Sequence, residues 1–120
     1  MSDMRLAPIE SKFADMIWEN EPMTTSELVK MSERELSWKR TTTYTVLKRL
    51  SERGIFQNVN GTVTSQISRE DFYSVQSEQF VEETFEGSLP AFLAAFTKRK
   101  KLTAEDISQI RQMIDTFREE

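Results

Sequence analysis

Apolar residues recur through the first twenty positions with helical spacing. Ile9, Phe13, Met16 and Ile17 stand at i, i+4, i+7 and i+8, which puts them on one stripe. The spacing predicts a helix over residues 8–19 with Pro8 in its first turn. Asn20-Glu21-Pro22 ends it, because the residue before a proline is pushed out of the α region. Thr24-Thr25-Ser26-Glu27 then has the form of a capping box, with Thr24 capping and Glu27 reaching back. The short helix it opens has Leu28, Val29 and Met31 on its apolar side, and Ser32 to Ser37 reads as a polar connector. A third helix is predicted from 39 to 53. Val46, Leu47 and Leu50 share one face with Thr43 beside them, while Thr41, Tyr44, Thr45, Lys48 and Glu52 take the other. Thr42 and Arg49 flank that outer face.

Gly54 stops the third helix, and the period then changes. Residues 55–59 and 62–67 are β-prone runs joined by Asn60-Gly61, a pair that suits a tight hairpin because both positions favour positive φ. An isolated hairpin is marginal, so this one must pack on the helices. Three helices followed by a hairpin is the order of a winged helix-turn-helix. The tail returns to helical spacing. Ser68-Arg69-Glu70-Asp71 offers a start, Leu89, Phe92, Leu93 and Phe96 recur at i, i+3, i+4 and i+7, and Gly87-Ser88 and Pro90 punctuate. Thr103 to Asp106 caps a last helix with Ile107, Ile110, Ile114 and Phe117 on one stripe. The expected fold is mainly α with a small β-hairpin. It divides into a winged-helix DNA-binding domain at 1–68 and a helical dimerisation region at 69–120.

Six of the eight phenylalanines fall in that tail. Three short helices cannot bury so much aromatic surface by themselves, so a partner is implied, and the commonest is an identical subunit on a two-fold axis. The expected interface residues are Phe72, Phe80, Phe85, Leu89, Phe92, Leu93, Phe96, Ile107, Ile110, Ile114 and Phe117.

Composition narrows the chemistry. The 120 residues contain neither cysteine nor histidine. Disulfides, thiol nucleophiles, Cys/His zinc sites, Ser-His triads and imidazole acid–base catalysis are thereby removed. No glycine-rich phosphate loop or nucleophile elbow occurs, so no enzyme, cofactor or metal is expected. No run approaches the ~18 apolar residues of a membrane span, and residues 1–10 lack the apolar core of a signal peptide. A cytoplasmic location without membrane insertion follows as the expectation.

Charge is unevenly spread. The net charge of −4 conceals a segment, residues 36–69, with six basic residues against Glu52. Such an island in an acidic chain is the footprint of a surface that faces a polyanion. It coincides with the hydroxyl-rich face of the third helix. Thr41-Thr42-Thr43 is a poor choice for helix propensity, and hydroxyls beside free N–H groups at a helix start suit phosphate oxygens. Lys98-Arg99-Lys100-Lys101 reads instead as a solvated turn. On residues alone two functions stand: a DNA-binding repressor, or a winged-helix protein-interaction module that does not bind DNA.

Particular strings make the chain resemble a known family. They are WEN at 18–20, WKRTTTYTVLKRLSERGIF at 38–56, FEGSLPAFLAAF at 85–96 and KLTAEDISQIRQMIDTF at 101–117. Together they resemble the penicillinase-repressor (BlaI/MecI/CopY) family of bacterial winged-helix repressors. The resemblance implies a homodimer that binds a dyad operator in double-stranded DNA and is released when its tail is disrupted. It places Thr41, Thr42, Tyr44, Thr45 and Lys48 on the groove-facing helix, with Arg40 and Arg49 on phosphates and Lys39 beside them. Asn60 and Thr62 would serve the wing, which has no Lys or Arg at its tip. Trp38 would pack beneath a short strand before that helix. One branch of the family is cleaved by a membrane sensor protease at an Asn–Phe bond, and the matching bond here is Ala95–Phe96. The copper-sensing branch has a cysteine cluster that this chain lacks.

Overall fold

Pro8 opens the first helix in the computed structural model, which describes residues 5–118. This helix, α1 (Pro8–Asn20), buries Phe13, Met16 and Ile17 of the expected stripe with Ala14 beside them, although Ile9 stays 43% exposed. The Ala7 N–H donates to the Glu10 carboxylate at 3.0 Å, which closes the first turn. Past its end, the Glu21 carboxylate accepts hydrogen bonds at 2.8 Å from both the backbone N–H and the hydroxyl of Ser65.

A two-residue strand, β1 (Met23–Thr24), precedes α2 (Thr25–Leu36). Thr24 caps α2 as expected, accepting from the Glu27 N–H at 3.1 Å. The expected connector from Ser32 to Ser37 is corrected: the helix runs on to Leu36, and Ser37 turns left-handed at φ 57° to end it. Glu33, Arg34, Glu35 and Leu36 are good helix formers, and Ser32 is fully buried, so packing as well as propensity carries the helix through the polar run.

The third helix, α3 (Arg40–Glu52), hides Thr43, Val46, Leu47 and Leu50. Its end is a Schellman motif. Gly54, at φ 80°, donates to the Ser51 carbonyl, and Ile55 donates to the Leu50 carbonyl. Leu50 and Ile55 are both fully buried, which supplies the apolar contact of that motif.

The hairpin β2 (Phe56–Val59) and β3 (Thr62–Ser65) follows, with Asn60 and Gly61 both at positive φ. The expected two strands are three. β1 pairs antiparallel with β3 through Met23↔Val63 and Thr24↔Thr62, giving the order β1-β3-β2. Below this sheet lies one core of fully buried Phe13, Ile17, Leu28, Leu50, Phe56 and Val63. Each large apolar side chain there contributes about 1.5–3 kcal/mol by leaving water.

The tail consists of α4 (Arg69–Phe85), α5 (Leu89–Thr97) and α6 (Ala104–Arg118). The chain forms two units, the first ending at Gln79 and the second beginning at Phe80. The start of α4 therefore packs with the winged helix. Phe72 is fully buried there, 5.4 Å from Trp18, whose indole N–H donates to the Ile67 carbonyl at 3.1 Å. The expectation that Phe72 lies on a subunit interface is thus corrected, because the side chain has no surface left to offer. Arg69 reinforces the junction through Asp15 at 3.0 Å. That hydrogen bond and charge hold the guanidinium above its ordinary pKa.

In the second unit Ser88 caps α5, accepting from the Ala91 N–H, and Thr103 caps α6, accepting from the Asp106 N–H. Phe80, Phe85 and Phe92 meet edge to face with centroids 5.7–6.1 Å apart. Yet no described residue from Phe80 onward is buried. Among the described residues, no helix is long and apolar enough to cross a membrane.

Candidate nucleic-acid interface

The core side of α3 fixes its outer side. With Val46 and Leu47 nearly buried and Leu50 fully so, the 100° turn per residue leaves Thr41, Thr45 and Lys48 exposed on one line. Thr42 and Arg49 are exposed beside them and Tyr44 is half-buried. The face read from the sequence is therefore the face the fold presents. Glu52 continues the same line at the helix end and is also exposed.

The threonines divide by role. Thr43 is 1% exposed and its hydroxyl donates to the Lys39 carbonyl at 3.2 Å, so it belongs to the core. The Thr45 hydroxyl donates to the Thr41 carbonyl at 2.8 Å. Its proton is spent inside the helix, and it offers the solvent side a methyl group and acceptor lone pairs. No side chain caps α3 at Lys39, so its first-turn N–H groups remain available to an anion.

The cations divide as well. Lys39 and Lys48 are exposed. The Arg40 guanidinium lies over the Tyr44 ring, 5.4 Å from its centroid. Arg49 is shared with α1, its Nε 3.5 Å from the Glu10 carboxylate, and its side chain is 56% exposed. Arg53, just past the helix, donates to the Arg5 carbonyl at 2.7 Å.

At the wing tip Asn60 and Thr62 are exposed as expected, while Val59 is 54% exposed beside them. The Gly61 N–H is taken by the Asn58 side chain at 3.0 Å, so this backbone donor is not available to a phosphate. The Gly61 carbonyl accepts from the Thr25 N–H at 3.0 Å, which ties the tip to the start of α2. That tie was missed in the sequence, and so was β1, which is two residues long and has no alternation to betray it. The Arg40–Tyr44 pair was missed too, although its i, i+4 spacing is a legible signal.

Trp38 is half-buried against Phe13, with centroids 5.1 Å apart. The short strand precedes α2 rather than α3, and the Trp38 indole packs on the edge of the core beside Phe13.

In the second unit Phe80, Leu89, Phe96, Ile107, Ile114 and Phe117 are 38–63% exposed, and Phe85, Phe92, Leu93 and Ile110 are half-buried. Ala95 and Phe96 are both exposed within α5.

Comparison with known proteins agrees with this geometry. A sequence model of a family described as Penicillinase repressor matches residues 6–116. A penicillinase repressor of Bacillus licheniformis is 24% identical over 115 residues, covering 92% of this chain and 90% of that protein. A winged helix with a hydroxyl-and-lysine face, followed by a helical tail, over the full span of that match leads to one conclusion: the chain belongs to the penicillinase-repressor family, a family of DNA-binding transcriptional repressors.

Proposed function

We propose that the protein is a homodimeric repressor that binds a dyad operator and is released when its tail is broken. The observation that carries this reading is the exposed line of Thr41, Thr45 and Lys48 above a sealed core. In the complex α3 enters the major groove, where Lys48 donates to base acceptors and the Thr45 methyl and lone pairs meet neighbouring base edges. Lys39, Arg49, Asn60, Thr62 and the first-turn N–H groups of α3 grip phosphates. The lack of buried side chains among the described residues from Phe80 onward supports a second copy as the cover of the tail. A bound dimer occludes the promoter. Cutting Ala95–Phe96, the work of a membrane sensor protease in this reading, severs α6 from the rest of the tail, and each freed monomer keeps half the contacts.

A mobility shift on the DNA upstream of the protein's own gene tests this at graded salt. The expected result is a shifted band whose affinity falls with a log–log slope of about −0.9 per phosphate neutralised. No shift, or a flat salt response, contradicts it.

A further inference from the structure

Arg40 is the first residue of α3, and recognition helices of helix-turn-helix proteins touch base edges with their N-terminal residues. The family resemblance assigns it a phosphate. Three observations favour a different role.

The arginines in and just past this helix are not equivalent. Arg49 is paired with Glu10 and Arg53 donates to the Arg5 carbonyl. Arg40 is exposed and makes no ion pair or hydrogen bond among the described residues, so its five N–H donors are uncommitted. The guanidinium is nevertheless held in place, 5.4 Å above the centroid of Tyr44 one turn later. A guanidinium held over a ring by cation–π attraction spends none of its N–H donors on that contact. A fork held in this way loses less side-chain freedom on binding than a free one. Finally, Tyr44 is itself half-buried on the side of α3 next to the Thr41–Thr45–Lys48 line, so the pair borders the groove-facing stripe.

A guanidinium, with two parallel donors in its fork, matches the O6 and N7 acceptors of guanine, the commonest specific contact in major grooves. We infer that Arg40, positioned by Tyr44, reads one guanine in each half-site, and that Tyr44 acts as its positioning residue. This rests on the DNA-binding reading above and adds a specificity determinant to it.

The experiment is selection from a randomised duplex pool with the full-length protein, followed by affinity measurements on the selected site and its single-base variants. Wild type is expected to prefer G·C at one position per half-site. Arg40→Lys and Arg40→Ala each erase that preference, a loss of roughly five- to a hundredfold in discrimination, while preferences elsewhere persist. Tyr44→Leu erases the same preference and Tyr44→Phe, which keeps the ring, retains it. The inference is overturned if Arg40→Lys behaves as wild type. It is equally overturned if Arg40→Ala weakens all sequences alike and reduces the salt slope by about one phosphate, or if Tyr44→Leu acts at a different base pair. Should wild type select no sequence at all, the DNA-binding reading fails with it. Selection without a guanine preference overturns only the role of Arg40.

Discussion

Thr43 and Thr45 are two positions apart, alike in chemistry, and opposite in fate. Helix geometry turns one inward at 1% exposure and leaves the other in solvent. That distinction was legible in the sequence, because the positions of Val46, Leu47 and Leu50 fix which way the helix faces. Phe72 shows where such reading stops. It opens the aromatic run of the tail and shares its composition, but the side chain packs from α4 against Trp18 of α1. Nothing local marks its burial, since the Trp18 ring that receives it lies 54 positions earlier. Phe72→Ala is therefore expected to lower the unfolding free energy of the winged helix by about 3–5 kcal/mol in urea denaturation. A weakened dimer with unchanged stability of the winged helix would restore the interface role instead.

Elements with a clear period and punctuation were recovered with small shifts of boundary: α1, α3 and the hairpin. The missing pieces follow from tertiary pairing. β1 exists because β3 offers it a ladder, and the second half of α2 exists because Ser32 and Leu36 meet the core. Gly54 is the punctuation that fixes the most downstream structure, since its φ of 80° sends the chain from α3 into β2. An added Cβ would meet nothing nearer than the Gln66 side chain at 3.8 Å, so steric crowding is not the constraint. Gly54→Ala is expected to cost about 1–2 kcal/mol through backbone conformation, read as a lower urea midpoint with an unchanged slope. A neutral effect would mean that the helix end tolerates a right-handed termination.

The two units differ in how they finish their cores. The first seals eight large side chains between Phe13 and Phe72 completely, from Phe13 and Ile17 through Leu50 to Phe72. The second leaves Ile114 and Phe117 at 51% and 63% exposure. The surplus of aromatic surface was legible in the sequence, and the first compact unit of the chain ends inside α4, at Gln79. Ile114→Asp with Phe117→Asp is expected to convert a dimer to a monomer in sedimentation equilibrium and to remove the dependence of Tm on protein concentration. An unchanged mass would place the subunit contact elsewhere.

The outer line of α3 is expected to lie in the major groove, once per subunit. Methylation protection on the selected duplex reports it most directly, because guanine N7 opens only into that groove. Two protected patches are expected on one face of the duplex, their centres about 34–36 Å apart or a simple multiple of that, with loss of both in Lys48→Ala at equal protein concentration. Protection confined to one patch, or none despite binding, would contradict it.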